Sequence, residues 1–181
     1  RQGHTTRVDE SQPVPSTLVS EAARTLIAFS GVTILPDIPE YYRKYPALLN
    51  FLSAQKMPWK ESRTLAGEIG EYIVMMRETE DAYLVGAATN ESGRTIDLPL
   101  SFLEKGKYTV EVIEDGDDAH YLTNRESLKV TTWQLTNNDK LALKLAPGGG
   151  ACLVIKKTPS MRVGEQAAFP LVSPSWKIGR E

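Results

Sequence analysis

Between Tyr83 and Thr89 large and small side chains alternate: Tyr83, Val85 and Ala87 fall on one face of an extended segment, Leu84, Gly86 and Ala88 on the other. A face reduced to glycine and alanine lets another layer approach closely, so the segment predicts the centre of a sheet. Just upstream, Tyr72–Arg77 is rich in Tyr, Ile, Val and Met, and the polar Glu78, Thr79, Glu80 and Asp81 link the two runs. Two such runs around a short polar loop predict a β-hairpin. These residues specify architecture and carry no chemistry.

Further short strands are expected at 94–100, 107–114, 127–135, 141–145 and 151–156, separated by turn residues. About seven strands with turns every 8–12 residues predict an antiparallel β-sandwich. Pro147-Gly148-Gly149-Gly150 joins the last two runs and reads as a hairpin turn or bulge. It lacks the Lys-Ser/Thr that follows in a phosphate-binding loop.

Upstream, Ser16 or Thr17 can cap a helix with Glu21 in its first turns. Leu18, Ala22, Leu26 and Phe29 recur at helical spacing, widened by Val19, Ala23 and Ile27, and Gly31 marks the expected end. So broad an apolar face must pack on something large. The sequence offers it no obvious partner, so the expected partner is a domain further upstream. Pro39 and Pro46 each open a short helical segment, the second with Leu48, Leu49, Phe51 and Leu52 as its apolar side. The expected organisation is α+β: helices within 1–58, a β-sandwich over 59–157, and a tail over 158–181 in which Phe169, Leu171, Val172, Trp176 and Ile178 could pack back.

The net charge of −2 over 181 residues gives no electrostatic reason to expect a nucleic-acid partner. One cysteine, Cys152, rules out an internal disulfide framework. No apolar run reaches the roughly 18 residues of a membrane span. The opening Arg1-Gln2-Gly3-His4 has no initiator Met or signal-like core, so the chain is expected to be a piece of something longer.

Candidate sites are few. Asp115-Gly116-Asp117-Asp118, with Glu126 twelfth from Asp115, resembles a calcium loop, but Ala119 and His120 stand where an oxygen ligand and a glycine belong. A solvated turn is the better reading. His4 and His120 have no partner at metal-ligand spacing, and Asp9 with Glu10 could do acid–base work on a sugar but read as solvated. Trp59, Tyr83, Tyr108 and Trp133 could form a sugar platform; core packing suits the tyrosines better, a wedge at the domain junction suits Trp59, and a ligand or partner contact is the lesser reading for Trp133. Asn90-Glu91-Ser92 is a formal glycosylation sequon.

Several segments in order resemble the C-terminal part of glycoside hydrolase family 97: Trp59–Leu65 with Gly67–Tyr72, Val85–Asn90, Leu100–Leu103, Gly106-Lys107-Tyr108, Asp115–Ala119 and Leu145–Gly150. Upstream, Phe29–Val32 and Asp37–Tyr42 resemble the end of that family's final barrel helix and the exit from it. The resemblance spans roughly residues 17–157 and implies a parent α-galactosidase or α-glucosidase with an N-terminal β-sandwich, a central (β/α)8 barrel and this C-terminal β domain. It implies catalytic carboxylates and a calcium ion upstream of Arg1, a periplasmic or secreted bacterial setting, and a supporting, oligomerising role here. No residue of this chain matches a catalytic or metal-binding position, so none is assigned, and substrate contacts stay open. The competing reading is a non-catalytic carbohydrate-binding or protein-interaction module.

Overall fold

The computed structural model describes residues 15–28, 30 and 39–159. Eight strands form: β1 Glu61–Glu68, β2 Tyr72–Glu78, β3 Tyr83–Thr89, β4 Arg94–Pro99, β5 Lys107–Asp115, β6 Leu128–Thr136, β7 Lys140–Leu145 and β8 Gly150–Lys157. Six make one antiparallel sheet in the order β1-β2-β3-β8-β5-β6, and β4 pairs with β7 in a second. The expected hairpin is there, with Tyr72 opposite Thr89 and Glu78 opposite Tyr83. The strand missing from the sequence reading is β1. It lies at an edge, is largely exposed and bulges between Thr64 and Ala66, so it lacks the apolar alternation that marks the others.

The central strands β3 and β8 are buried on both faces, because each separates two cores. Val85, Ala87, Leu153 and Ile155 point toward the β4–β7 pair, where Ile96, Leu98, Leu143 and Leu145 meet them. Leu84, Cys152 and Val154 point the other way, into a core shared with helices. The molecule is therefore three layers deep: a two-stranded sheet, a six-stranded sheet, then helices α1 Leu18–Ile27 and α3 Pro46–Ser53, with the short α2 Pro39–Lys44 contributing no buried residue.

This corrects the expectation that the first helix has no partner within the chain. Val19, Ala22, Ala23 and Leu26 of α1 are buried against β3 and β8. The small face of β3 makes the approach possible: a Cβ at Gly86 would sit 2.9 Å from the carbonyl oxygen of Ala23. Thr17 caps the helix by accepting from the amide of Ser20, and Ser16 bonds Glu21. The helix ends at Ile27, short of Gly31, because a side chain from the sheet finishes it. Arg77 donates from Nε to the Leu26 carbonyl at 3.2 Å and from its terminal nitrogen to that of Ile27 at 3.1 Å, while its guanidinium lies 4.6 Å from the Trp59 ring centre. Arg77 is only 7% exposed, and that burial lowers its pKa.

Arg77→Met keeps the stem packing but strands two helix-terminal carbonyls and removes the charge over the indole. A loss of about 2 kcal/mol in urea denaturation is expected, with the amides of residues 24–28 exchanging faster.

The glycine run is also corrected. β7 and β8 belong to different sheets, so Pro147–Gly150 is a crossover between layers and not a hairpin turn. Gly148 takes a positive φ of 65°, and its amide donates to the carbonyl of Asn90 while its own carbonyl accepts from Thr17.

Candidate functional site

The sequence's acidic loop and its glycine run meet at Asp115. This residue ends β5 and is 1% exposed, not solvated as the sequence reading has it. Its Oδ2 accepts from the amides of Ala146 at 3.0 Å and Gly150 at 2.8 Å, which are otherwise unpaired where the chain changes sheets. Burial pushes its pKa above the ordinary value, against the opposing pull of the nearby Thr17 hydroxyl and the two amides. Asp115 thus fastens the crossover to the end of β5, close to the start of α1.

The other carboxylates of the loop go to separate partners. Asp117 pairs with Lys144 at 2.9 Å, and that hydrogen bond holds its pKa low. Asp118 accepts from the Ser127 hydroxyl and, at 2.8 Å, from Asn124, and is lowered chiefly by Ser127. Glu126 turns toward the helices and takes the Lys44 ammonium and the Tyr45 hydroxyl, both at 2.6 Å, with Lys44 the larger cause of its lowered pKa. Among the described residues no three His, Cys, Asp or Glu side chains are grouped to hold a metal. A groove of about 310 Å³ opens beside the loop, lined in part by Arg94, Asp117, Lys144 and Pro147. Its charges are already matched: Arg94 pairs with Glu71 at 2.9 Å and lies over the Tyr72 ring, and Lys144 pairs with Asp117.

The aromatic candidates separate cleanly. Tyr108 is fully buried and donates to the Glu104 carbonyl at 2.8 Å. Tyr83 packs edge-on to Tyr108 and Phe102, with ring centres 6.3 and 6.5 Å away, and burial pushes its hydroxyl up to about 12. Trp59 joins the helix-side core under Arg77. Trp133 alone of the four stands out from the surface, half exposed on β6. His120 lies in the β5–β6 loop, stacked on Tyr121, its Nδ1 accepting from the Leu122 amide. The Asn90 side chain is spent on an Asx turn, accepting from Ser92 and Arg94 and donating to the Gly70 carbonyl. His4, Asp9, Glu10 and the tail aromatics Phe169 and Trp176 lie outside the described residues.

Asp115 and Arg77, two of the buried charges that tie the layers together, carry no local signal that separates them from surface residues. Only their partners, dozens of residues away in the chain, give them a role.

These features define a helix-backed antiparallel sandwich in which the buried Asp115 and Arg77 hold layers together. Residues 58–156 match the model of the glycosyl-hydrolase 97 C-terminal family, described as an oligomerisation domain, and the chain belongs to that family. A retaining alpha-galactosidase of Bacteroides thetaiotaomicron is 33% identical over 147 residues, 81% of this chain and 22% of that protein. A probable retaining alpha-galactosidase of Streptomyces bingchenggensis is 28% identical over 107 residues, covering 59% of this chain and 17% of that protein. The solved structure of a glycoside hydrolase family 97 enzyme in complex with acarbose, from a Pseudoalteromonas species, superposes with a TM-score of 0.76 and 29% identity, over 80% of this chain and 23% of that one. The chain thus spans about a fifth of the length of the curated relatives it matches.

Proposed function

We propose that this chain is the C-terminal supporting part of a bacterial α-galactosidase, bracing a catalytic barrel and joining copies of the enzyme. The likeness to the Bacteroides retaining alpha-galactosidase, across 81% of this chain, carries the reading. In it, α1 to α3 are the last helices of the barrel, resting on the β domain through the core that α1 and α3 share with β3 and β8. The paired carboxylates that cleave the α-galactoside with retention, and the calcium ion near the sugar, belong to the rest of the enzyme, which works in the periplasm or outside the cell. Here the carboxylates of the acidic loop are bound up in structural pairs, so this chain contributes rigidity and contact surface. Of the four aromatic candidates Trp133 alone is left to stack a sugar, since Tyr83, Tyr108 and Trp59 are packed inside.

The test compares hydrolysis of p-nitrophenyl α-galactoside and α-glucoside by the 181-residue chain and by the longer protein containing it. The short chain should be inactive, and the longer one should prefer the galactoside. Turnover by the 20.0 kDa chain would overturn the assignment of the chemistry elsewhere, and a preference for glucoside would overturn the choice of sugar.

A further inference from the structure

The four sheet edges of the described residues are not alike. An edge strand exposes unpaired amides and carbonyls, and folded proteins normally blunt it with charge, proline or a bulge. β1 carries Glu61, Arg63 and Glu68 and bulges at Thr64/Ala66. β4 carries Arg94, Asp97 and Pro99, and β7 carries Lys140 and Lys144. β6 differs. It pairs with β5 in unbroken register over nine residues, from Leu128 opposite Asp115 to Thr136 opposite Lys107. From Val130 to Thr136 it has no charge, proline or glycine, and it is rich in β-formers: Val130, Thr131, Thr132, Trp133, Leu135 and Thr136. Its single lysine, Lys129, is held 2.9 Å from Glu114 on β5, which neutralises the usual edge guard.

We propose that β6 is the contact through which two copies of this chain join, antiparallel and edge to edge, extending the six-stranded sheet across a twofold axis. The inference rests on the oligomerising role given above and names the surface that performs it. The occupant follows from the strand's own chemistry. A twofold axis normal to the sheet sets β6 beside its copy in antiparallel order, and a neutral strand meets no like charge from itself. The same axis keeps equivalent faces together. Trp133 therefore meets the partner's strand on the face toward β4–β7, and Val130 does so on the helix face. Both are large apolar side chains now left 50% and 43% exposed.

The test uses the full chain. Its mass is followed by sedimentation equilibrium over a wide concentration range, with hydrogen exchange of the peptides holding β6 and β1. The expected result is a dimer whose β6 amides gain protection as concentration rises while β1 does not. Val130→Lys with Trp133→Lys, at two exposed positions, should weaken the dimer at least tenfold while circular dichroism and melting temperature hold; Thr64→Lys on β1 should leave it intact. A wild type that is monomeric throughout, with unprotected β6, would overturn both this inference and the oligomerising role. A dimer that the β6 lysines leave unchanged would overturn the inference alone. Protection of β6 independent of concentration would place another segment of the same chain on the edge, and would also overturn it.

Discussion

Gly150→Val is expected to be among the most damaging single substitutions in the described chain. A Cβ at this position would lie 2.6 Å from the Cα of Ser20 and 2.7 Å from the carbonyl oxygen of Ala87. Both neighbours are backbone, one from α1 and one from β3, so no rotamer change relieves the clash. The helix must lift off the sheet or β8 must leave its place between β3 and β5. Overpacking at a site with no soft neighbour costs upwards of about 3 kcal/mol, a large share of the roughly 5–15 kcal/mol that holds a domain together. Thermal denaturation should show a fall of about 10 °C or more, or loss of soluble protein. Gly70→Asn is the control. Gly70 has a positive φ, 80°, which asparagine tolerates, and nothing lies within 4 Å of its added Cβ, so a change within about 1 kcal/mol is expected. Equal damage at both sites would show that the close approach of α1 does not matter.

Asp115→Ala should come next, at about 3 kcal/mol, because it leaves the amides of Ala146 and Gly150 buried with no acceptor. Asp115→Asn keeps an acceptor for them and should recover most of the loss. The pair also has a pH signature of unusual sign. Burial raises the folded-state pKa of Asp115 above 3.8, so the folded chain holds this proton more tightly than the unfolded chain. Its contribution to stability is therefore fullest below the unfolded value and declines as pH rises through the folded one. The asparagine has no such slope. Measured in urea, the stability of Asp115→Asn relative to wild type should rise as pH climbs above 3.8. A flat or falling difference would mean that the two amides, not burial, set the carboxyl's proton affinity. The exposed Asp117 and Asp118, whose pKa values are lowered, work in the opposite sense and are common to both proteins.

The strands and caps were legible because their signals are local. Alternation in Tyr83–Thr89 foretold both a central strand and its close-packed face, and Thr17 and Pro46 marked helix starts through chemistry within one turn. β1 was missed for the same reason. An exposed edge strand with a bulge imposes no period on its side chains. The acidic loop misled in part: its spacing resembled a cation site and its polarity a solvated turn, yet its first residue is buried. Nothing near Asp115 in the chain announces that Gly150, 35 residues on, will return to bond it.

The sequence by itself determined the antiparallel β class, the strand rhythm, the small face of β3 and, through the order of its motifs, the family. Which layer each strand joins was decided only in three dimensions. β7 and β8 are neighbours in the chain but lie in different sheets, and β8 enters between β3 and β5. The partner of the first helix was likewise a tertiary matter. Its apolar stripe records the need for a surface, but hydrophobic burial is non-directional and does not say which surface meets it. The steric fit of α1 over Gly86, and the guanidinium of Arg77 reaching its last carbonyls, made that choice.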